Sequence, residues 1–221
     1  MLNYDLSKPL IFIHVPKTAG QSVKHIVKAW FDGNFFPHYY NEQEGGLPPK
    51  RDLEAISLDQ NVCIYGHFNR LRGFGVEDYY PEVKQFITIL RNPLEMAISS
   101  YFYIRSKAKS WKDQSRVPQG DLEEYLLNTP LNMLNHFPKV VTEDNYKEVL
   151  ETYFIYIGTT ERLLDSLQKI AAKLSMPTLL DLPHVNSTQR DEYKISPEVI
   201  EQFEHKNKLE YLVYQYALLN S

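Results

Sequence analysis

The sequence predicts an α/β fold: a three-layer domain in which a mainly parallel central sheet is flanked by helices. Three observations carry this. Residues 10–15 (LIFIHV) form a short apolar run rich in β-branched residues, and residues 62–65, 86–90 and 153–157 repeat the pattern, as strands buried on both faces of a parallel sheet do. Stretches with apolar residues three and four apart alternate with these runs, which is the period of helices with one buried stripe. Polar, glycine-containing turns follow several of the runs, at the strand ends where open α/β sheets place ligands.

The first unit is a strand, a short turn and a helix without a spare residue. After the run at 10–15 come Pro16, Lys17, Thr18, Ala19, Gly20, Gln21 and Ser22, and then Val23, Ile26, Val27 and Trp30 at helical spacing; Asp32, Gly33 and Asn34 stop the helix. Backbone N–H groups at a helix start have no intrahelical acceptor and carry partial positive charge, so this turn can hold a phosphate-like anion. Lys17 adds a full charge, Thr18 and Ser22 offer hydroxyl donors, and Gly20 allows the main chain to approach a ligand. An ordinary strand-to-helix turn with a solvated lysine is the alternative reading. The triphosphate loop of the Walker type needs glycines before its lysine, and here Lys17 precedes Gly20.

Residues 35–51, with Pro37, Gly45, Gly46, Pro48 and Pro49, read as a turn-rich surface insertion near the mouth of the sheet, and residues 52–58 as a short helix. Residues 62–65 are then the second buried strand, ended by Gly66, His67 and Phe68. Its place just beyond a strand makes His67 the candidate among seven histidines; no two of them have the i, i+4 spacing of a helical zinc site, so no metal is expected. A loop marked by Gly73, Gly75 and Pro81 carries Arg70 and Arg72.

The third strand, 86–90, runs into Arg91, Asn92 and Pro93, and Pro93 suits the first position of a helix whose apolar face is Leu94, Ala97, Ile98 and Tyr101. Arg91 at the strand end and Ser99 two turns into the helix can converge on one phosphate group; alternatively the arginine caps a sheet edge and the serine fills a tight helix contact. Residues 104–120 are basic with Trp111 among the charges, suited to an anionic glycan or nucleotide, or equally to a solvated helix end. Residues 121–128 read as a capped helix and 130–138 as an irregular or helical segment. The fourth strand, 153–157, is closed by Gly158, Thr159 and Thr160, and a helix over 161–174 presents Leu163, Leu167, Ile170 and Leu174. Residues 184–190 form a polar loop, and Ser196 with Pro197 starts one terminal helix.

With 221 residues, 43% of them hydrophobic, the chain can bury a sizeable core and is read as one domain over 1–221. A net charge of -4 argues against a general nucleic-acid coat. The sequence has no 18-residue apolar span and opens without a positive, cleavable leader, so no membrane span and a cytoplasmic setting are expected. Cys63 is the only cysteine, which excludes an intrachain disulfide and makes it a buried strand residue.

Two motifs in this order resemble a known family. Pro16 to Ser22, as P-K-T-[AG]-[GS]-x-S, is similar to the 5'-phosphosulfate loop of sulfotransferases that use 3'-phosphoadenosine 5'-phosphosulfate (PAPS), and Arg91, Asn92, Pro93, Ser99 and Tyr101 resemble their 3'-phosphate motif. The runs Tyr65-Gly66-His67-Phe68 and 86–103 are closest in pattern to the heparan sulfate and uronyl 2-O-sulfotransferases; Gly158 to Leu163 (G-x-T-E-R-L) and the loop at 184–190 resemble later segments of that family. The resemblance implies a sulfotransferase fold and transfer of the PAPS sulfuryl group to an acceptor hydroxyl, without a metal. It makes His67 the catalytic base and Lys17 the group that stabilises charge on the departing phosphate. The loop of residues 16–22 then holds the 5' end, and Arg91 with Ser99 the 3'-phosphate. A saccharide is the favoured acceptor, ahead of a lipid or small hydroxylated metabolite. The rival readings are a nucleotide-triphosphate kinase or hydrolase with a degraded Walker loop, and a nucleotide-binding protein without catalysis.

Overall fold

The computed structural model describes residues 1–41, 45–53, 61–108, 117–182 and 192–220. Its centre is a five-stranded parallel sheet of β1 (Leu10–Ile13), β2 (Phe35–His38), β3 (Cys63–Gly66), β4 (Phe86–Leu90) and β5 (Phe154–Thr159), in the order β2-β3-β1-β4-β5. β1 lies in the middle, with Phe12 opposite Tyr65 of β3 on one side and Ile87 of β4 on the other. Every residue of β1, β3, β4 and β5 is buried, which is why these strands were written as continuous apolar runs rather than as alternating ones.

Helices cover both faces. On one, Leu10, Phe12, Tyr65, Ile87 and Ile89 pack against α1 (Gly20–Phe31) and α6 (Leu163–Leu174), whose Val23, Ile26, Val27, Leu167, Ile170 and Leu174 are the predicted stripes. On the other, Ile11, Ile13, Ile64, Phe86 and Leu90 meet α2 (Val76–Tyr79), α5 (Tyr146–Tyr153), α8 (Lys208–Asn220) and Met96 of α3 (Pro93–Lys107). A third apolar cluster joins α3 through Ala97, Ile98 and Tyr101 to α4 (Leu122–Asn128) and α7 (Pro197–Lys206). The chain therefore leaves β1 toward one face and β4 toward the other. That reversal opens a crevice at the carboxyl ends of two neighbouring strands, where α/β sheets bind ligands.

The structure corrects the sequence reading in several places. Residues 35–38, assigned to a surface insertion, are β2, so the run at 62–65 is the third strand in chain order rather than the second. Among the described residues β2 is an edge strand paired only with β3, and an edge tolerates Pro37, which cannot donate to a ladder. Tyr153 ends α5 instead of opening β5, and Gly158 and Thr159 continue the strand they were expected to close. A 3-10 turn over Thr160–Arg162 delays α6 to Leu163. The terminal helix is two helices: they break at buried Asn207, whose side-chain amide donates to the Phe203 carbonyl at 2.8 Å. The helix expected at 52–58 falls largely, and the loop at 184–190 wholly, outside the described residues, as does the part of the basic stretch that contains Trp111.

Candidate active site

The carboxyl ends of β3, β1 and β4 stand side by side and deliver, in that order, His67, the loop of residues 16–22 and Arg91. The loop is tightly wound: Lys17 and Ala19 have φ of 69° and 58°, a left-handed conformation that side chains rarely adopt. Alternation of hand turns successive amides toward one side, the geometry of an anion-binding concavity. The start of α1 has no side-chain cap and no acidic residue in its first turn. α3 differs, because the Asn92 side chain accepts from the amides of Leu94 at 3.0 Å and Glu95 at 3.2 Å. Of these two helix starts at the crevice, only that of α1 leaves its amides uncapped by a side chain.

Two loop residues also have ties within the fold. The Thr18 hydroxyl is buried and donates to the Val15 carbonyl at 2.8 Å, which ties the loop to the strand. Gly20 is required by a neighbour: a Cβ there would lie 1.6 Å from Nε2 of His14, whose ring fills that space. Ser22 is on the buried side of α1, while Pro16 and Lys17 are partly exposed and Gln21 is exposed.

The structure brings Lys17 and Arg91 together on one edge of the sheet. An Arg91 Nη1–H donates to the Lys17 carbonyl at 3.3 Å, and Nη2 forms an ion pair with Glu95 at 3.1 Å. The Lys17 ammonium lies 3.7 Å from the centre of the Tyr103 ring, a cation–π contact from α3. Ser99, two turns farther along α3 from Arg91, is buried.

His67 follows Gly66, where a Cβ would lie 1.8 Å from the His38 carbonyl oxygen; a glycine there lets β2 and β3 approach, and the His67 amide donates to that same carbonyl at 2.9 Å. His67 Nδ1 lies 2.6 Å from the carbonyl of His14. A carbonyl only accepts, so Nδ1 carries the hydrogen, and whenever the ring is neutral its lone pair is on Nε2. Three more rings surround it: His14 with centroids 4.3 Å apart, Tyr39 edge-on at 4.9 Å, and His136 at 5.9 Å.

Burial sets the charge of this cluster. It holds His14 well below the ordinary imidazole range, with the neighbouring His67 and His136 adding to the effect. It also lowers His136 to about 3 and His38 to about 4, and it raises the phenols of Tyr39 and Tyr65. His14, His38 and His136 are thus neutral at pH 7. Burial likewise raises the Cys63 thiol, which leaves it unreactive. His14, Tyr39 and His136 were not singled out from the sequence. His14 carried the same signal as His67, a histidine just past a strand, whereas Tyr39 follows the unrecognised β2 and His136 had no local signal. Among the described residues no group of three His, Cys, Asp or Glu side chains is placed to hold a metal, and no helix is long and apolar enough to cross a membrane.

Sheet order and loop geometry define an α/β protein with a strand–loop–helix whose helix start has no side-chain cap and a histidine on the adjacent strand end. The sequence matches the Sulfotransferase family over residues 2–217, and the chain belongs to that family. No curated protein matches it. Among solved structures, mouse sulfotransferase SULT7A1 complexed with PAP superposes on 80% of this chain at 16% sequence identity, with a TM-score of 0.46. This chain covers 61% of that protein's length.

Proposed function

We propose that the protein is a PAPS-dependent O-sulfotransferase, with His67 as the general base. The observation that carries this reading is the convergence at the crevice: Arg91 reaches the carbonyl of Lys17 at 3.3 Å, and His67 emerges from the neighbouring strand on the other side of the loop. Two cationic side chains and a run of amides without a side-chain cap fit a ligand with anionic groups at both ends. PAPS supplies the activated sulfuryl group.

The amides of Thr18 to Ser22 hold its 5' end, and Arg91 with Ser99 holds the 3'-phosphate, so that the nucleotide is fixed relative to the base. His67 Nε2 removes the acceptor hydroxyl proton while Nδ1–H stays on the His14 carbonyl, which stabilises the imidazolium that results. Lys17 neutralises the charge that grows on the departing phosphate oxygen. The run Tyr65-Gly66-His67-Phe68 supports a relationship to the heparan sulfate and uronyl 2-O-sulfotransferases, and with it a saccharide acceptor.

The test pairs binding with turnover. Calorimetry is expected to show binding of 3'-phosphoadenosine 5'-phosphate and none of ATP-magnesium; the reverse preference supports a kinase or hydrolase. Radiolabelled PAPS with a panel of oligosaccharides, phenols and hydroxylated lipids identifies the acceptor class, and transfer to none of them supports a binding protein. His67→Ala should keep nucleotide affinity and lower kcat by about a hundred- to ten-thousand-fold. Wild-type turnover in that variant removes His67 from the chemistry.

A further inference from the structure

Resting on the sulfuryl-transfer reading above, we propose that His14, held by Tyr39, is a positioning residue for His67 that ties the base to the donor loop. Four contacts converge on this side chain. Its ring backs that of His67, with centroids 4.3 Å apart and planes 30° from parallel. Its Nδ1 lies 3.0 Å from the Tyr39 hydroxyl, and Tyr39 in turn meets the His67 ring edge-on at 4.9 Å. Its Nε2 occupies the space that a side chain at Gly20 would need, so the same ring touches the first residue of α1. Its backbone carbonyl accepts from His67 Nδ1 at 2.6 Å. His14 therefore touches both groups whose separation decides whether an acceptor oxygen meets the sulfur, namely the base and the loop.

Its environment also fixes its charge. The groups that face it are His67, His136, Lys24, Lys17, Tyr39 and Tyr65. The cationic members of that set disfavour a second positive charge, and burial does so more strongly. A neutral ring at 4.3 Å does not oppose the positive charge that His67 acquires on taking a proton, whereas a charged one would. Tyr65, whose ring stacks on that of His14 with centroids 5.7 Å apart, donates its hydroxyl to the Gly20 carbonyl at 2.9 Å and so ties the start of α1 to the same cluster.

The experiment compares His14→Ala and Tyr39→Phe with wild type, using calorimetry with 3'-phosphoadenosine 5'-phosphate and steady-state transfer from radiolabelled PAPS to the best acceptor of the panel. For His14→Ala the expected result is nucleotide affinity and KM for PAPS within about threefold of wild type and a kcat lower by about a hundredfold, the scale for a misplaced reacting group. Tyr39→Phe should lower kcat less, by about fivefold, and the double variant should be no slower than His14→Ala, because both act through one ring. A folded His14→Ala with wild-type kcat, or with nucleotide affinity reduced as much as kcat, overturns the proposal. If His14→Ala does not fold, Tyr39→Phe decides: lower kcat at unchanged affinity supports it, and unchanged kcat overturns it. The two readings fail separately. An active His67→Ala defeats the base assignment, whereas an inactive His67→Ala beside a fully active His14→Ala defeats only this one.

Discussion

Acid should destabilise this protein well above the pH at which carboxylates titrate, because the histidines around the crevice are buried in their neutral form. His38 and His136 are 1% and 3% exposed, and burial lowers them to about 4 and about 3. In the unfolded chain both return to about 6.5. Above that pH neither state binds a proton and the full stability is present. As the pH falls toward 4 the unfolded chain gains protons that the fold refuses, so stability drops. Between pH 7 and pH 5 each histidine contributes a loss of about 2 kcal/mol, or about 4 kcal/mol for the pair. His14 adds a loss of the same sign, and the raised carboxyl of Glu210 works in the opposite direction. Urea unfolding at pH 7, 6 and 5, followed by circular dichroism, measures the sum. His136→Asn isolates one share, since it should remove about 2 kcal/mol of the pH-dependent loss. A wild-type protein that loses less than about 1 kcal/mol over this range, or a variant with an unchanged slope, refutes the reasoning.

Three further outcomes follow from contacts elsewhere. Arg70 donates to the carbonyls of Leu134, Phe137 and Lys139 at 3.4, 3.0 and 2.7 Å, so Arg70→Ala should cost about 2 to 4 kcal/mol in urea unfolding; a cost within about 0.5 kcal/mol shows that water replaces it freely. Gly20→Ala should destabilise by about 3 kcal/mol through collision with the His14 ring, and adding His14→Ala should restore part of the loss in thermal melts. Arg91→Ala should reduce, by about tenfold or more, the preference for 3'-phosphoadenosine 5'-phosphate over the same molecule without its 3'-phosphate. An unchanged ratio in calorimetry removes Arg91 from that subsite.

The central part of the fold was legible because burial on both faces leaves a signature that needs no partner to read. β1, β3, β4 and β5 are continuous apolar runs, and the stripes of α1 and α6 are regular. β2 was not legible for the complementary reason. Four residues with one of them proline, partly exposed and paired on one side only, carry neither an apolar run nor an alternation, and only the partner β3 makes them a strand. The break at Asn207 was hidden in the same way, since no proline or glycine marks it and both the backbone N–H and the side-chain amide of Asn207 donate to the Phe203 carbonyl.

The site divides along the same line. Lys17, Arg91 and His67 announce themselves by standing where a strand ends, a position that sequence periodicity locates without knowledge of the neighbours. Sequence alone could not say that their strands are adjacent, which is what the order β3-β1-β4 supplies. Nor could it apportion the loop residues between ligand and scaffold. Thr18 and Gly20 sit within a motif that reads as wholly ligand-directed, yet one is bonded to Val15 and the other makes room for His14. A loop that must hold two residues at positive φ needs such internal ties, because strain of that kind persists only where surrounding contacts over-determine the backbone. The motif is therefore conjoint: Thr18 and Gly20 tie the loop to β1 and His14, and a substitution at either is expected to reach the proposed chemistry through the geometry of the loop.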